Sequence, residues 1–150
     1  MDPYAPATPE ARALALSLLE PATFAALATI HEGRPMVTRI GCLWLPGQGM
    51  GMLISDLSDH AKALVADPAC ALLVGEPAEK GDPLTHPRIT LRGTARAIDK
   101  AAHRDHWLAH RPKATIYYDF TDFRLLAVAP DDAMLNGGFG KAHRLTAADL

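Results

Sequence analysis

The chain has 150 residues, 49% hydrophobic and 21% charged, with a formal net charge of −2. That length and balance fit one globular domain able to bury a core, and they give no general attraction to nucleic acid. No apolar run approaches the ~20 residues that cross a bilayer, and Met1-Asp2-Pro3-Tyr4-Ala5-Pro6 lacks the basic-then-apolar pattern of a secretory signal, so a cytoplasmic protein without nucleic-acid or membrane partners is expected.

Residues 1–9 are rich in Pro and Ala and are expected as a flexible arm, which leaves 10–150 as a single domain. Glu10 to Glu20 has helical spacing in Ala13, Leu14, Leu16, Leu18 and Leu19, and Pro21 ends it. Thr23 to His31 and Met36 to Leu45 read as a hairpin about Glu32-Gly33-Arg34-Pro35. Pro46-Gly47-Gln48-Gly49 turns the chain into a third strand, Met50 to Ser55. Gly47, Gly49 and Gly51 lie between two strands, which is the wrong context for a dinucleotide fingerprint.

A helix is expected from about Ser58, with Leu57, Ala61, Leu64 and Val65 on its core face and Asp67-Pro68 as its stop. Ala69 to Val74 reads as a buried strand and Glu76 to Pro87 as a loop. Arg88 to Ile98 alternates, with Arg88, Thr90, Arg92, Thr94 and Arg96 on one face. Asp99 to Arg111 is expected as a helix, Lys113 to Phe120 as a shorter one, Phe123 to Val128 as the last strand, and the remainder as a tail. Consecutive hairpins with few helices point to a mainly β fold, a small six-stranded, mostly antiparallel barrel, closed or split, with peripheral helices.

The junction Ser55-Asp56-Leu57-Ser58-Asp59-His60-Ala61-Lys62 gathers a hydroxyl, an imidazole and an ammonium at a helix start, where free N–H groups favour an anion. Asp56 or Ser58 capping an ordinary helix accounts for the same residues, and Asp56 and Asp59 oppose a phosphate unless further cations are near. Arg39 alternates with Val37, Gly41 and Leu43 on one strand face. A guanidinium there needs an anionic ligand, a carboxylate such as Asp56, or water. Gly41 beside it leaves room for a flat ligand.

Arg88, Arg92 and Arg96 form a stripe with about 13 Å between neighbours at ~3.3 Å per residue, suited to solvent or to an acidic partner. His103, His106 and His110 share a helix face without a metal signature, so no metal site is expected. Cys42 and Cys70 form no CxxC and lie in apolar runs, as buried free thiols do. No serine, cysteine and histidine set reads as a hydrolase triad, so any reactive group is expected to belong to a cofactor held by its phosphate.

The runs Leu53-Ile54-Ser55-Asp56-Leu57-Ser58-Asp59-His60-Ala61-Lys62-Ala63-Leu64 and Ala66-Asp67-Pro68 are followed by Gly81-Asp82-Pro83-Leu84 and Pro87-Arg88-Ile89-Thr90-Leu91-Arg92-Gly93. Gly137-Gly138-Phe139-Gly140-Lys141-Ala142-His143 comes last. In this order the chain resembles the pyridoxamine 5'-phosphate oxidase-like family of FMN-binding split barrels, and more narrowly its haem-utilisation branch. The resemblance implies a homodimer with two FMN sites at the subunit interface. It assigns the phosphate to Arg39 on the second strand, with Ile40 beside it, and to Lys62 with His60. It lays Ser55 and Asp56 along the isoalloxazine ring, and brings Arg88 from the other subunit and His143 near the ring.

Lys141-Ala142-His143 stands where the vitamin B6 oxidases carry Arg-x-His, so pyridoxamine phosphate is not the expected substrate. The haem-degrading members of the family are longer, with an additional C-terminal domain, so haem degradation is not the expected activity. The expectation is an FMN-dependent oxidoreductase of unassigned substrate and catalytic residues. The alternatives are a haem-binding protein using His60, His86 or His143, and a dimer without turnover.

Overall fold

The computed structural model describes residues 1–150. Its strands are β1 (Phe24–His31), β2 (Arg34–Leu45), β3 (Gly49–Ser55), β4 (Ala69–Val74), β5 (Arg88–Ala97), β6 (Phe123–Asn136) and β7 (Ala142–Thr146). They form one sheet in the order β3-β2-β1-β4-β5-β6-β7, and a further β3–β6 pairing closes the first six into a barrel. All the pairings are antiparallel. The six-stranded split barrel expected from the alternation is the architecture found, with β7 added outside it. Three helices surround it, α1 (Pro9–Leu19), α2 (Asp59–Ala66) and α3 (Arg104–His110).

The β1–β2 hairpin turns on two residues, Glu32 and Gly33, with φ of 51° and 74°. Positive φ at both positions matches the right-handed twist of the strands they join. Ala25, Leu27 and Thr29 of β1 then face inward, while Phe24, Ala26, Ala28 and Ile30 face out. The barrel interior is one apolar cluster built from β1 to β7, with α1 and α2 packed against it. A smaller cluster of Leu43, Leu45, Leu53, Trp107, Ala114, Tyr118 and Leu125 lies under α3.

The Thr29 hydroxyl is buried at 3% exposure and has no hydrogen-bond partner. Removing an unsatisfied hydroxyl while keeping the β-branched shape recovers its desolvation cost. Thr29→Val is therefore expected to stabilise the fold by about 1 kcal/mol, read as a raised urea midpoint at unchanged m-value.

Two elements differ from the sequence expectation. β6 continues to Asn136 instead of ending at Val128, and the tail supplies β7. Pro130 and two aspartates look like a strand end, but the β5–β6 register shifts there, as a bulge allows. One edge of β6 pairs with β3 over Phe123–Val128 and with β7 over Asp132–Asn136, so Pro130 lies between them where no ladder donor is needed. The expected helix over 99–111 shortens to α3, and the shorter one after it becomes a 3-10 turn over Pro112–Ile116. The Asp99 carboxylate accepts the N–H groups of Ala101 and Ala102 at 3.0 and 3.2 Å, holding that stretch as a turn.

The first nine residues do not stand apart from the domain. Ala5 bridges to β7, its N–H donating to Ala142 O at 2.9 Å and its carbonyl accepting from Arg144 N at 3.0 Å. Thr8 then caps α1. Arg111, just past α3, donates to the carbonyls of Ala22 and Cys42 at 2.8 and 2.7 Å and ties the start of β1 to β2.

Candidate functional site

β2 and β3 form a ladder only from Cys42↔Met52 to Leu45↔Gly49. Beyond Cys42, β2 stays paired with β1, and beyond Met52, β3 stays paired with β6. The two strands therefore part, and each has an edge without a ladder neighbour from Arg39 to Gly41 and from Leu53 to Ser55. A cleft of about 250 Å³ lies in this split, lined by Arg39, Ile40, Gly41, Leu53, Ile54, Ser55, Ser58, His60 and Phe123. A Cβ on Gly41 would meet nothing nearer than Thr23 O at 3.9 Å, so the missing side chain keeps that wall flat and open.

Arg39 makes no ion pair. Its guanidinium stands 5.4 Å over the Phe24 ring, and Arg39 also lines a second cleft of about 360 Å³ between Pro21–Ala26 and Leu73–Glu76. Ser58 is the N-cap of α2: its hydroxyl accepts from Ala61 N at 3.3 Å and donates to Ser55 O at 2.7 Å. The helix start is thus locked to the end of β3, and its positive end faces the split.

Ser55 and Asp56 are held by residues the sequence reading did not single out. The Ser55 hydroxyl donates to Asp122 Oδ2 at 2.9 Å, and Asp56 N donates to Asp122 O at 2.7 Å. The Asp56 carboxylate pairs with Arg124 Nε, not with Arg39. Asp122 and Arg124 arrive through the Ser55↔Phe123 and Ile54↔Arg124 register. The signal for them was the short Asp122-Phe123-Arg124 lead into the last strand, readable only once β6 is known to neighbour β3.

His60 faces β2, with Nδ1 3.1 Å from Thr38 Oγ1. Burial holds its pKa below the usual histidine value, against the opposing pull of Asp59, so the neutral ring is favoured in the folded state. Acidification then protonates the unfolded chain first. Stability is expected to fall as pH drops below about 6.5 and on towards the lower folded value. His60→Gln should flatten that part of a thermal-melt pH profile between pH 7 and 5.5; an unchanged slope would refute the assignment.

Lys62 lies elsewhere. Residues two apart on a helix are about 200° apart around the axis, and Lys62 lines a neighbouring cleft with Asp56, Ala61, Val65 and Arg124. The structure therefore brings Arg39, Ile40, Ser55 and His60 together and leaves Lys62 and the Asp56 carboxylate on the other side of the junction. Arg88 donates to Leu84 O and His86 O at 2.9 and 3.2 Å in its own loop. His143 Nδ1 donates to Pro6 O at 2.9 Å, and His86 Nδ1 accepts from Ala78 N at 3.0 Å. Neither Arg88 nor His143 lines the Arg39 cleft of its own chain.

The arginine stripe is occupied locally: Arg92 pairs with Asp132 and Arg96 donates to Gln48. Burial pushes the Cys42 and Cys70 thiols up to about 11, and both are free. They stay protonated and supply no nucleophile at neutral pH.

A protein-family model described as pyridoxamine 5'-phosphate oxidase matches residues 11–135. One solved structure is 41% identical over 97% of both chains, with a TM-score of 0.88. The heme binding protein from Mycobacterium smegmatis is 26% identical, with a TM-score of 0.86, covering 95% of this chain and 60% of that one. A curated relative, the non-canonical heme oxygenase HOZ, chloroplastic, of Arabidopsis thaliana, is 39% identical over 82 residues, which cover 53% of this chain. The match spans 24% of that relative's length. No helix here is long and apolar enough to cross a membrane.

Proposed function

The chain belongs to the pyridoxamine 5'-phosphate oxidase family, and from that premise we propose that it binds FMN in the β2–β3 split and serves as a flavin-dependent oxidoreductase. The observation that carries this reading is the pair of unladdered strand edges around an unpaired arginine. Backbone N–H and C=O groups beside a flat wall complement the amide-like edge of an isoalloxazine ring, and Arg39 with the α2 start offers the phosphate its charge partner. Bound there, the flavin would supply the electron transfer, while Arg39 anchors it, Ile40, Ser55 and the Asp56 backbone line its path, and His60 stays neutral beside it.

A cleft of about 250 Å³ in one chain is small for a ligand of that size. We read it as half of a site, completed by a second copy. The outer faces of β1, β2 and β4 support this. Phe24, Val37 and Leu73 are exposed on one continuous face that borders Arg39. On this reading Arg88 and His143 reach the ring from the partner, and Lys62 adds only long-range attraction. Freshly purified protein should show flavin absorbance, or quench FMN fluorescence on titration. Neither signal, from a protein that is dimeric in solution, would end the proposal.

A haem reading is favoured by one specific arrangement and by what the similar proteins are named for. His60 is neutral, is oriented by Thr38, and lines the cleft. A histidine ligand to iron needs that neutral form and such an orienting partner. His86 is disfavoured, because its Nδ1 accepts a backbone N–H and leaves the proton on Nε2. A Soret shift lost in His60→Ala and kept in His86→Ala would support haem; no shift in the wild type would remove it.

A further inference from the structure

On the far side of Asp56 from Arg39, the cleft of about 430 Å³ that holds Lys62 lies between α2 and the start of β6. It adjoins a recess of about 120 Å³ walled by Leu64, Val65, Ala95, Ala97 and Leu126. Val65 and Arg124 line both, so the two are one trough. Its ends differ in chemistry. At the mouth, Lys62 and Arg124 face one carboxylate, Asp56, which is already paired with Arg124, while Lys62 makes no ion pair. The recess is apolar, and the short side chains of Ala95 and Ala97 leave space over β5. Val65 at its rim is 69% exposed.

A surplus cation beside an uncovered apolar recess is complementary to a ligand with one anionic end and one apolar end. We infer that this trough is a binding site for an amphipathic carboxylate, its head between Lys62 and Arg124 and its aliphatic body over Ala95, Ala97 and Val65. The site is separate from the Arg39 cleft and does not depend on the flavin reading. A small anion without an apolar body would use the mouth alone and leave the recess empty.

Calorimetric titration of the full chain with hexanoate, octanoate and decanoate tests this. Affinity should rise about two- to fourfold per added methylene, as burial of each in the recess requires. Ala97→Leu, which fills the recess from an exposed strand position, should weaken decanoate at least tenfold. Lys62→Met should weaken all three acids alike and keep the chain-length slope. Saturating FMN should leave decanoate affinity unchanged. Affinity independent of chain length in the wild type would overturn the inference without recourse to any variant. Undiminished decanoate binding by folded Ala97→Leu, or displacement of decanoate by FMN, would overturn it too. Absence of flavin binding bears on the Arg39 cleft alone.

Discussion

Arg39→Ala is expected to weaken FMN binding by roughly 10- to 150-fold, the equivalent of the 1.5–3 kcal/mol of a hydrogen bond to a charged group. The guanidinium has no carboxylate partner, and Arg39 lines the split. It is also exposed, so the melting temperature of the ligand-free variant should stay close to wild type, which separates a binding defect from a folding defect. Arg39→Lys should restore only part of the affinity, because an ammonium keeps the charge but not the planar fork that meets a phosphate with two parallel bonds. Titration of FMN fluorescence reads all three proteins. Equal affinity of Arg39→Ala and wild type would remove the phosphate from this arginine and leave the split without its anchor.

Trp107→Ala carries the largest expected cost in stability, about 3–5 kcal/mol, against a total of ~5–15 kcal/mol for a domain. Trp107 is 3% exposed and is the largest side chain in the seven-residue cluster under α3. Its neighbours are fitted to it. A Cβ on Gly51 would come within 3.0 Å of Trp107 Cζ3 and 2.8 Å of Leu45 Cδ1, so β3 is bare there to let the indole approach. The same cluster contains Leu53, which lines the split, so loosening it should also degrade the cleft. The melting point should fall by roughly 10 °C at ~2–4 °C per kcal/mol. A loss under 1 kcal/mol in urea titration would mean that α3 is not packed on the barrel.

The junction of β3 and α2 shows where reading the residues succeeds and where it stops. Ser58 as helix cap, Gly41 as open wall and Arg39 as a cation on an otherwise apolar face follow from residue type and alternation, and each stands in the structure as those patterns require. The convergence of Arg39 with Lys62 does not follow. Helical geometry alone sends His60 and Lys62 to opposite sides, and only the packing of α2 against β1, which sets His60 beside Thr38 of β2, decides which of them joins Arg39 at the cleft.

Local pattern thus determined the first five strands, the alternation along Arg88 to Ile98 and a turn within Glu32-Gly33-Arg34-Pro35, because each depends on neighbours a few residues away, while the resemblance to the family rests on motifs spread from Leu53 to His143. The tertiary structure alone decided that β2 and β3 part after Cys42, that one edge of β6 serves β3 and then β7, and that Asp56 answers Arg124, 68 residues on. Backbone ladders form with equal ease between any extended segments, so their partners are chosen by how the whole barrel closes around its core. A site built in the gap where a ladder is interrupted has no signature shorter than the fold.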